Sequence, residues 1–437
     1  KLSEEEVAAF SIEKYRFPEV DIHANLGRNY PHGEAFAHVL GYTGMLSEQD
    51  MGQIDIAKYR GTYFIGKSGI EKSYESLLHG KAGYEQVETD ARGRMIRQLE
   101  EIPSVPGDNL YLSLDSKLQL LAYDLLQNQK GAVVALDVKT GGVLAMVSRP
   151  SFDPNLFVKG IPQETYDKLQ HAKEQPLFHR AIRGQYPPGS TVKPLVALQA
   201  LDHKVITPQT TFNDPGYYQL TANGRLYRDW LPEGHGIISL ENAIAESCTT
   251  FFYFVADKLG IDRMHNIFSR FGLGELTNID IHGEAKGIAP SKEWKKQTKR
   301  QAWFQGETII TGIGQGYTLV TPLQMASVAS AIANRGTRVQ PMLVKATQTH
   351  NQAVNDNPVV YAEKVELKHP EHWDTVINAM EKVIKYPRGT AHWINNPKSS
   401  FTMAGKTGTA QVYGIKQDET YDANKIKAAL RDHAWFI

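Results

Sequence analysis

The stretch Pro103-Ser104-Val105-Pro106-Gly107-Asp108 divides the chain into two parts with different patterning. Proline lacks a backbone donor and glycine tolerates unusual φ, so together they stop regular structure. Before this joint, residues 1–108 are rich in charge, Gly and Tyr, and their amphipathic pieces, such as 47–56 and 69–79, are short. That predicts a small, irregular, elongated unit. After it, residues 109–437 carry strong strand and helix signals. Residues 109–114 alternate as a strand, and 116–127 show helical apolar spacing. Residues 132–138 and 143–147 are apolar strands joined by Lys139-Thr140-Gly141-Gly142, a hairpin signal. Helical spacing recurs over 192–203, 240–259, 262–271 and 322–334, and 401–412 returns to strand. Strands at both ends with helices between predict an α+β domain built around one sheet. A chain of 437 residues has room for two or three domains with proper cores.

Composition excludes several classes. Lys+Arg and Asp+Glu both number 48, so there is no net electrostatic pull toward nucleic acid or anionic lipid. One cysteine excludes an internal disulfide. No run approaches the roughly 18 apolar residues of a spanning helix, and Lys1-Leu2-Ser3-Glu4 is no signal peptide. Any membrane anchor is therefore expected outside this stretch.

The first chemistry-bearing motif is Tyr186-Pro187-Pro188-Gly189-Ser190-Thr191-Val192-Lys193. The Pro-Pro-Gly turn feeds a helix, with Ser190 at its start and Lys193 one turn on, on the same face. A serine hydroxyl needs a base to become a nucleophile. A lysine serves if burial depresses its pKa. Ser11-Ile12-Glu13-Lys14 has the same spacing, but lies on a charged segment and reads as a solvated pair. Lys-Thr-Gly also occurs twice. Lys139-Thr140-Gly141 reads as a turn, whereas Lys406-Thr407-Gly408-Thr409 sits in a strand pattern. Glycine in a strand often marks close approach of another backbone or a ligand. Between them, Ser247-Cys248-Thr249 lies near the start of a long apolar helix, where the bland reading of Ser247 is an N-cap.

In this order, Ser190-x-x-Lys193, Ser247-x-Thr249 and Lys406-Thr407-Gly408 approximate the S-x-x-K, S-x-N, K-T-G set of β-lactamases and penicillin-binding proteins. Further motifs resemble the class B penicillin-binding proteins, specifically their elongation-specific transpeptidases. They are Arg28-Asn29-Tyr30-Pro31-His32-Gly33, then Gly66, Gly69-Ile70-Glu71, Tyr74-Glu75, Leu78 and Gly80, and Arg92-Gly93-Arg94. Thr311-Gly312-Ile313-Gly314-Gln315-Gly316 and Thr321-Pro322-Leu323-Gln324 complete the set.

The resemblance implies a transpeptidase domain over 109–437, short of a last strand and helix, behind a pedestal over 1–108. It implies Ser190 as nucleophile, Lys193 as base, Ser247 as proton relay and Lys406 as a catalytic cation. Thr407, Gly408 and Thr409 would bind the substrate carboxylate with it. Thr249 departs from the family's usual Asn or Asp and would meet a substrate amide. Substrates would be peptidoglycan stem peptides, with β-lactams as covalent inhibitors. A lipid-linked glycan polymerase and elongation-complex proteins would be partners, on the periplasmic side of the inner membrane. A serine β-lactamase, a D,D-carboxypeptidase and a non-catalytic β-lactam sensor are the alternatives. The pedestal motifs and the absence of an evident deacylation base weigh against the two enzymes. A sensor would need a transmembrane segment.

The chemistry of Ser190 requires no cofactor, yet Cys248 has suggestive company. Asp214, Asp229 and His235 lie in the polar, Gly-rich insert between the Ser190 and Ser247 helices. One thiolate, one imidazole and two carboxylates suit tetrahedral zinc. The competing reading is a small buried Cys with two Asp turn caps. Some members of the resembled family carry zinc in this insert, which implies a closed, structural ion here.

Overall fold

The computed structural model describes residues 2–17, 19–20, 22, 27–52, 54–59, 64–92, 95–158, 160–411 and 432–437. The N-terminal part is irregular, as its composition predicts. A helix over Glu4–Glu13 starts at a Ser3/Glu6 capping box and buries nothing. An antiparallel ribbon of Tyr84–Thr89 and Met95–Ile102 stands exposed over nearly its whole length. Gly93 and Arg94 lie outside the described residues; Arg92 sits in a turn with its N–H on Asp90. The small core of this part merges with the next one. Val39 and Ile70 pack into the same cluster as Val143, Met146, Ile182, Leu323 and Leu343. Buried Gln119 stitches the junction, donating to the carbonyls of Ala35 (2.7 Å) and Met146 (3.0 Å) and accepting from Met146 N (2.8 Å).

The C-terminal part contains β1 (Asn109–Leu112), α1 (Ser116–Leu126), β2 (Gly131–Leu136) and β3 (Val143–Arg149), the last two an antiparallel hairpin. Its turn is built as expected: the Asp137 carboxylate accepts from Lys139 N and Thr140 N, and Gly141 takes φ +74°. Then come α2 (Lys193–Asp202), β4 (Thr211–Asp214), β5 (Gly236–Ser239), α3 (Leu240–Ala245), α4 (Thr249–Leu259) and α5 (Ile261–Arg270). Later elements are α6 (Gln305–Thr311), α7 (Pro322–Ala333), β6 (Val344–Gln348), α8 (Glu371–Lys385), β7 (Thr407–Ala410) and β8 (His433–Phe436). Helix α2 is buried on every side and forms the axis of the main core. Its length is apolar apart from Lys193, Gln199 and Asp202, as a core helix requires.

Three expectations need correction. The helix read over 240–259 is two helices, broken at Glu246-Ser247-Cys248, where Ser247 adopts φ +58°. Periodicity cannot register that break, because the apolar stripe runs straight through it. The strand read over 401–412 is only Thr407–Ala410, and residue 412 lies outside the described residues. Among the described residues the strands form separate two- and three-stranded ladders instead of one sheet, since alternation identifies a strand without naming its partner. The basic run at 292–300 has a buried member. Lys295 is buried, with its ammonium on Glu307 (2.5 Å) and on the Ala302 carbonyl (2.7 Å), over the Phe304 ring. Among the described residues no helix is long and apolar enough to cross a membrane.

Candidate active site

Ser190 lies in a tight turn, Gly189–Val192, that runs directly into α2. The turn is gripped from two sides. Gly189, at φ +56°, donates its N–H to the Gly314 carbonyl at 2.9 Å. A Cβ on Gly189 would stand 2.6 Å from the Thr409 carbonyl, so only glycine lets these backbones approach. Mounted on the end of a core helix, Ser190 has a rigid base and a half-exposed side chain. Ser11, by contrast, sits on an exposed helix with its hydroxyl turned back to the Val7 carbonyl.

Lys193 is completely buried and its ammonium reaches the α3–α4 break. It donates to the Ser247 carbonyl at 2.7 Å, Ser247 Oγ at 3.3 Å and the Cys248 carbonyl at 3.3 Å. A continuous helix would use the Ser247 carbonyl in its own hydrogen-bond ladder; the break releases it for the lysine. Burial lowers the Lys193 pKa to about 8, against the opposing pull of Asp229 and Cys248. Lys406 is equally buried and donates to the Thr407 carbonyl at 3.0 Å. Burial and then the charge of Lys193 hold it well below the usual lysine range. Strand β7 pairs with β8 in antiparallel register, Gly408 opposite Trp435 and Thr409 opposite Ala434. Trp435 Nε1 donates to the Pro187 carbonyl at 3.0 Å, locking this ladder against the Ser190 turn. A Cβ on Gly408 would meet the Pro188 carbonyl at 2.9 Å. Thr409 is exposed and Thr407 half-buried. The three motifs therefore meet at one cleft.

Behind Ser247 the insert brings Asp214, Asp229, His235 and Cys248 together, their ligand atoms all within 4.8 Å of one another. Asp214 ends β4, opposite Gly236 of β5, and that pairing delivers His235 beside it. Cys248 Sγ is 3.4 Å from Asp214 Oδ2 and 3.6 Å from Asp229 Oδ2. Zinc–sulfur and zinc–oxygen bonds of about 2.3 and 2.0 Å at a tetrahedral angle require an edge of about 3.5 Å. His235 Nδ1 lies 2.7 Å from Asp214 Oδ2 and 3.9 Å from Asp229 Oδ2. The donor set and the two Cys248 edges fit a tetrahedral divalent ion, and the His235–Asp214 edge, at hydrogen-bond length, would open by about 0.6 Å around one. Desolvation, and then the Asp229 charge, push the Cys248 thiol pKa up, while hydrogen bonds hold the Asp214 carboxyl low despite its burial. Asp229 is more than a turn cap. Its Oδ2 accepts from Thr249 N (2.7 Å), Thr250 N (2.9 Å) and Thr250 Oγ1 (3.0 Å), closing the N-terminus of α4.

Comparison with known proteins gives the family. The penicillin-binding protein transpeptidase domain matches residues 131–437, and the penicillin-binding protein dimerisation domain matches residues 1–112. The chain belongs to the penicillin-binding proteins. It is 44% identical over 438 residues to the peptidoglycan D,D-transpeptidase MrdA of Escherichia coli K12, covering 99% of this chain and 69% of that protein. The structure of Pseudomonas aeruginosa PBP2 in complex with WCK 5153 superposes with TM-score 0.81 at 43% identity, covering 95% of this chain and 83% of that one. Helicobacter pylori PBP2, in its complex with MreC, gives TM-score 0.83 at 32% identity, covering 98% and 76%.

In this penicillin-binding protein several residues around the three motifs had no individual role legible in the sequence. Thr250 is buried with its hydroxyl 3.2 Å from Cys248 Sγ. Gln315 Nε2 donates to the Thr409 carbonyl at 3.3 Å, from the glycine-rich segment 312–316. Within that segment Gly314 is the glycine that allows close approach to the Ser190 turn. Glu246, Arg388 and Thr390 bear no motif at all.

Proposed function

We propose that this penicillin-binding protein is a peptidoglycan D,D-transpeptidase that cross-links stem peptides during cell-wall elongation. The observation that carries the assignment is the buried Lys193 amine, one turn along from Ser190 and bonded to Ser247 and the Cys248 carbonyl. Ser190 Oγ attacks the penultimate D-Ala carbonyl of a D-Ala-D-Ala terminus, and Lys193 accepts its proton. A pKa of about 8 leaves roughly one amine in ten free at pH 7, so the base is available without being permanently neutral. The N–H groups of Ser190 and Thr409 receive the developing oxyanion, the kind of contact that contributes most to such rates. Ser247, bonded to Lys193, passes the proton to the departing D-Ala amine as the carbon–nitrogen bond breaks. The amine of a second stem peptide then attacks the Ser190 ester, forms the new amide and regenerates the hydroxyl. Lys406, Thr407 and Thr409 hold the terminal carboxylate, with Gly408 allowing the strand to lie close. Thr249, the first residue of α4, would offer the substrate amide a shorter polar contact than Asn or Asp. A β-lactam follows the same route through opening of its ring amide, leaving a persistent ester.

Asp214, Asp229, His235 and Cys248 are the residues that would hold a structural zinc ion, which would cross-link the insert to the α3–α4 break. The ion would take no part in acyl transfer. The similarity to the MreC-bound relative supports elongation-complex proteins as partners. A glycan polymerase as partner and a place on the periplasmic side of the inner membrane complete the proposal.

Incubation with a fluorescent penicillin tests the reading. The expected result is stoichiometric labelling that turns over slowly and vanishes in Ser190→Ala. Absence of labelling, or fast hydrolysis of the drug, would overturn it.

A further inference from the structure

The Ser247 turn is strained, yet its position decides where Lys193 points. A non-glycine residue in the left-handed region costs about 1–2 kcal/mol and persists only where neighbours over-determine it. Part of the restraint comes from within the insert, where Trp230 Nε1 donates to the Glu246 carbonyl at 3.2 Å. The rest comes from a segment with no motif, the loop that follows α8.

This loop touches both walls of the cleft. Thr390 N donates to the Ala245 carbonyl at 3.1 Å, on the last residue of α3. The Arg388 guanidinium pairs with Glu246 Oε2 at 2.6 Å; the Glu246 side chain is 5% exposed, the arginine 57%. Lys382, one turn before the end of α8, pairs with Glu241 at the start of α3. Those contacts fix the Ser247 wall. On the other wall, Thr390 Oγ1 lies 2.5 Å from Thr407 Oγ1, and Gly405 N donates to the Met380 carbonyl of α8 at 3.0 Å. Thr390 thus binds the Ser247 side by its backbone and the Lys406 strand by its side chain. The loop itself is tightly made: Ala391 N returns to the Val383 carbonyl at 3.0 Å, and a Cβ on Gly389 would stand 2.3 Å from that carbonyl oxygen.

We propose that Thr390 and Arg388 are positioning residues for acyl transfer, setting the separation of Ser247 from the Lys406–Thr409 strand. The Thr390 hydroxyl fixes the rotamer of Thr407, and Arg388 neutralises the buried Glu246 beside Ser247. Neither touches the reacting atoms. This rests on the transpeptidase reading above, and displacement of about 1 Å in such a site can cost up to 10²-fold in rate.

The test measures the second-order rate of acylation by a fluorescent penicillin, with thermal unfolding in parallel. Thr390→Val keeps the shape and removes the hydroxyl. It is expected to acylate about 10-fold more slowly while melting within about 2 °C of wild type, and Thr390→Ser should recover to within about twofold. Arg388→Gln should slow acylation and Arg388→Lys restore most of it; this pair carries the test if the Thr390 variants do not fold. Lys385→Ala, which removes an exposed pair with Glu381 on the same helix, is the control and should behave as wild type. Wild-type rates in both Thr390→Val and Arg388→Gln, or a loss in Lys385→Ala as large as theirs, would overturn the proposal. Failure of the wild-type protein to label at all would instead remove the transpeptidase reading beneath it.

Discussion

The Ser190 turn is seated on Gly314, so adding one carbon there should disable acylation without touching a catalytic group. Gly314 has φ +68°, and a Cβ on it would stand 2.2 Å from the Gly189 carbonyl oxygen and 2.8 Å from the Gly189 nitrogen. Ordinary contact begins near 3.4 Å, so either the Ser190 turn or the Gly314 backbone must move by about 1 Å. The hydrogen bond from Gly189 N to the Gly314 carbonyl would be lost or bent. The left-handed conformation adds about 1 kcal/mol of strain for alanine, and overpacking adds about 1–3 kcal/mol. Gly314→Ala is therefore expected to melt several degrees lower and to acylate up to about 10²-fold more slowly. Gly316→Ala isolates the cause. Gly316 is also left-handed, at φ +77°, but its Cβ would meet only Ile310 Cγ2 at 3.4 Å. It should show the strain alone, about 1 kcal/mol, with acylation within about twofold of wild type. The assay is stopped-flow or gel-based labelling with a fluorescent penicillin, at a temperature where both variants are folded. Equal acylation rates in Gly314→Ala and Gly316→Ala would refute the reasoning.

Purified protein should contain one zinc per chain by mass spectrometry and Cys248→Ala little or none; a chelator should lower the melting temperature of the parent only, and a metal-free parent would sink the structural ion. His38 is buried beside Phe152, His179 and Arg180, and burial holds its pKa down to about 4. Because the unfolded imidazole takes its proton near 6.5, stability is full above that value and falls as pH drops toward 4, by about 2 kcal/mol at pH 5. Equilibrium unfolding of His38→Gln should show a visibly flatter profile between pH 7 and 5, and an unchanged slope would count against the assignment. Gln119→Leu should cost about 2–4 kcal/mol, since it strands the buried N–H and C=O of Met146 and the Ala35 carbonyl; calorimetry reads it, and a shift below about 1 °C would contradict the account.

How far the sequence carries depends on what kind of relation each feature needs. Ser190 and Lys193 share a turn, so their adjacency follows from spacing alone. The contact between Lys193 and Ser247 joins residues 54 apart, and no periodicity encodes it; only the order of the motifs suggested it. The α3–α4 break was invisible because the core demands apolar residues on both sides of it, and the break is made by long-range partners instead of by a proline or glycine. Strand β7 was over-read for a related reason. Residues 401–405 have suitable side chains, but backbone pairing begins only at Lys406, which exchanges two hydrogen bonds with Ile437, and continues with Thr407 opposite Phe436.

The insert shows why such relations matter for function. Read linearly, Asp214, Asp229 and His235 are turn residues on a polar excursion. In space they surround Cys248, whose backbone carbonyl receives the Lys193 ammonium at 3.3 Å. Asp229 closes α4 with its Oδ2, and Thr390 and Arg388 hold the same three-residue break from the opposite side. The left-handed Ser247 is thus fastened by two segments far apart in sequence, and neither contributes an atom to acyl transfer. If both act on the rate through that one residue, their effects cannot be independent. A double variant of Arg388→Gln with Asp229→Asn should lose less activity than the two single losses multiplied, because the second substitution displaces a turn the first has already released. Multiplicative losses would mean that the two restraints act on different parts of the cleft.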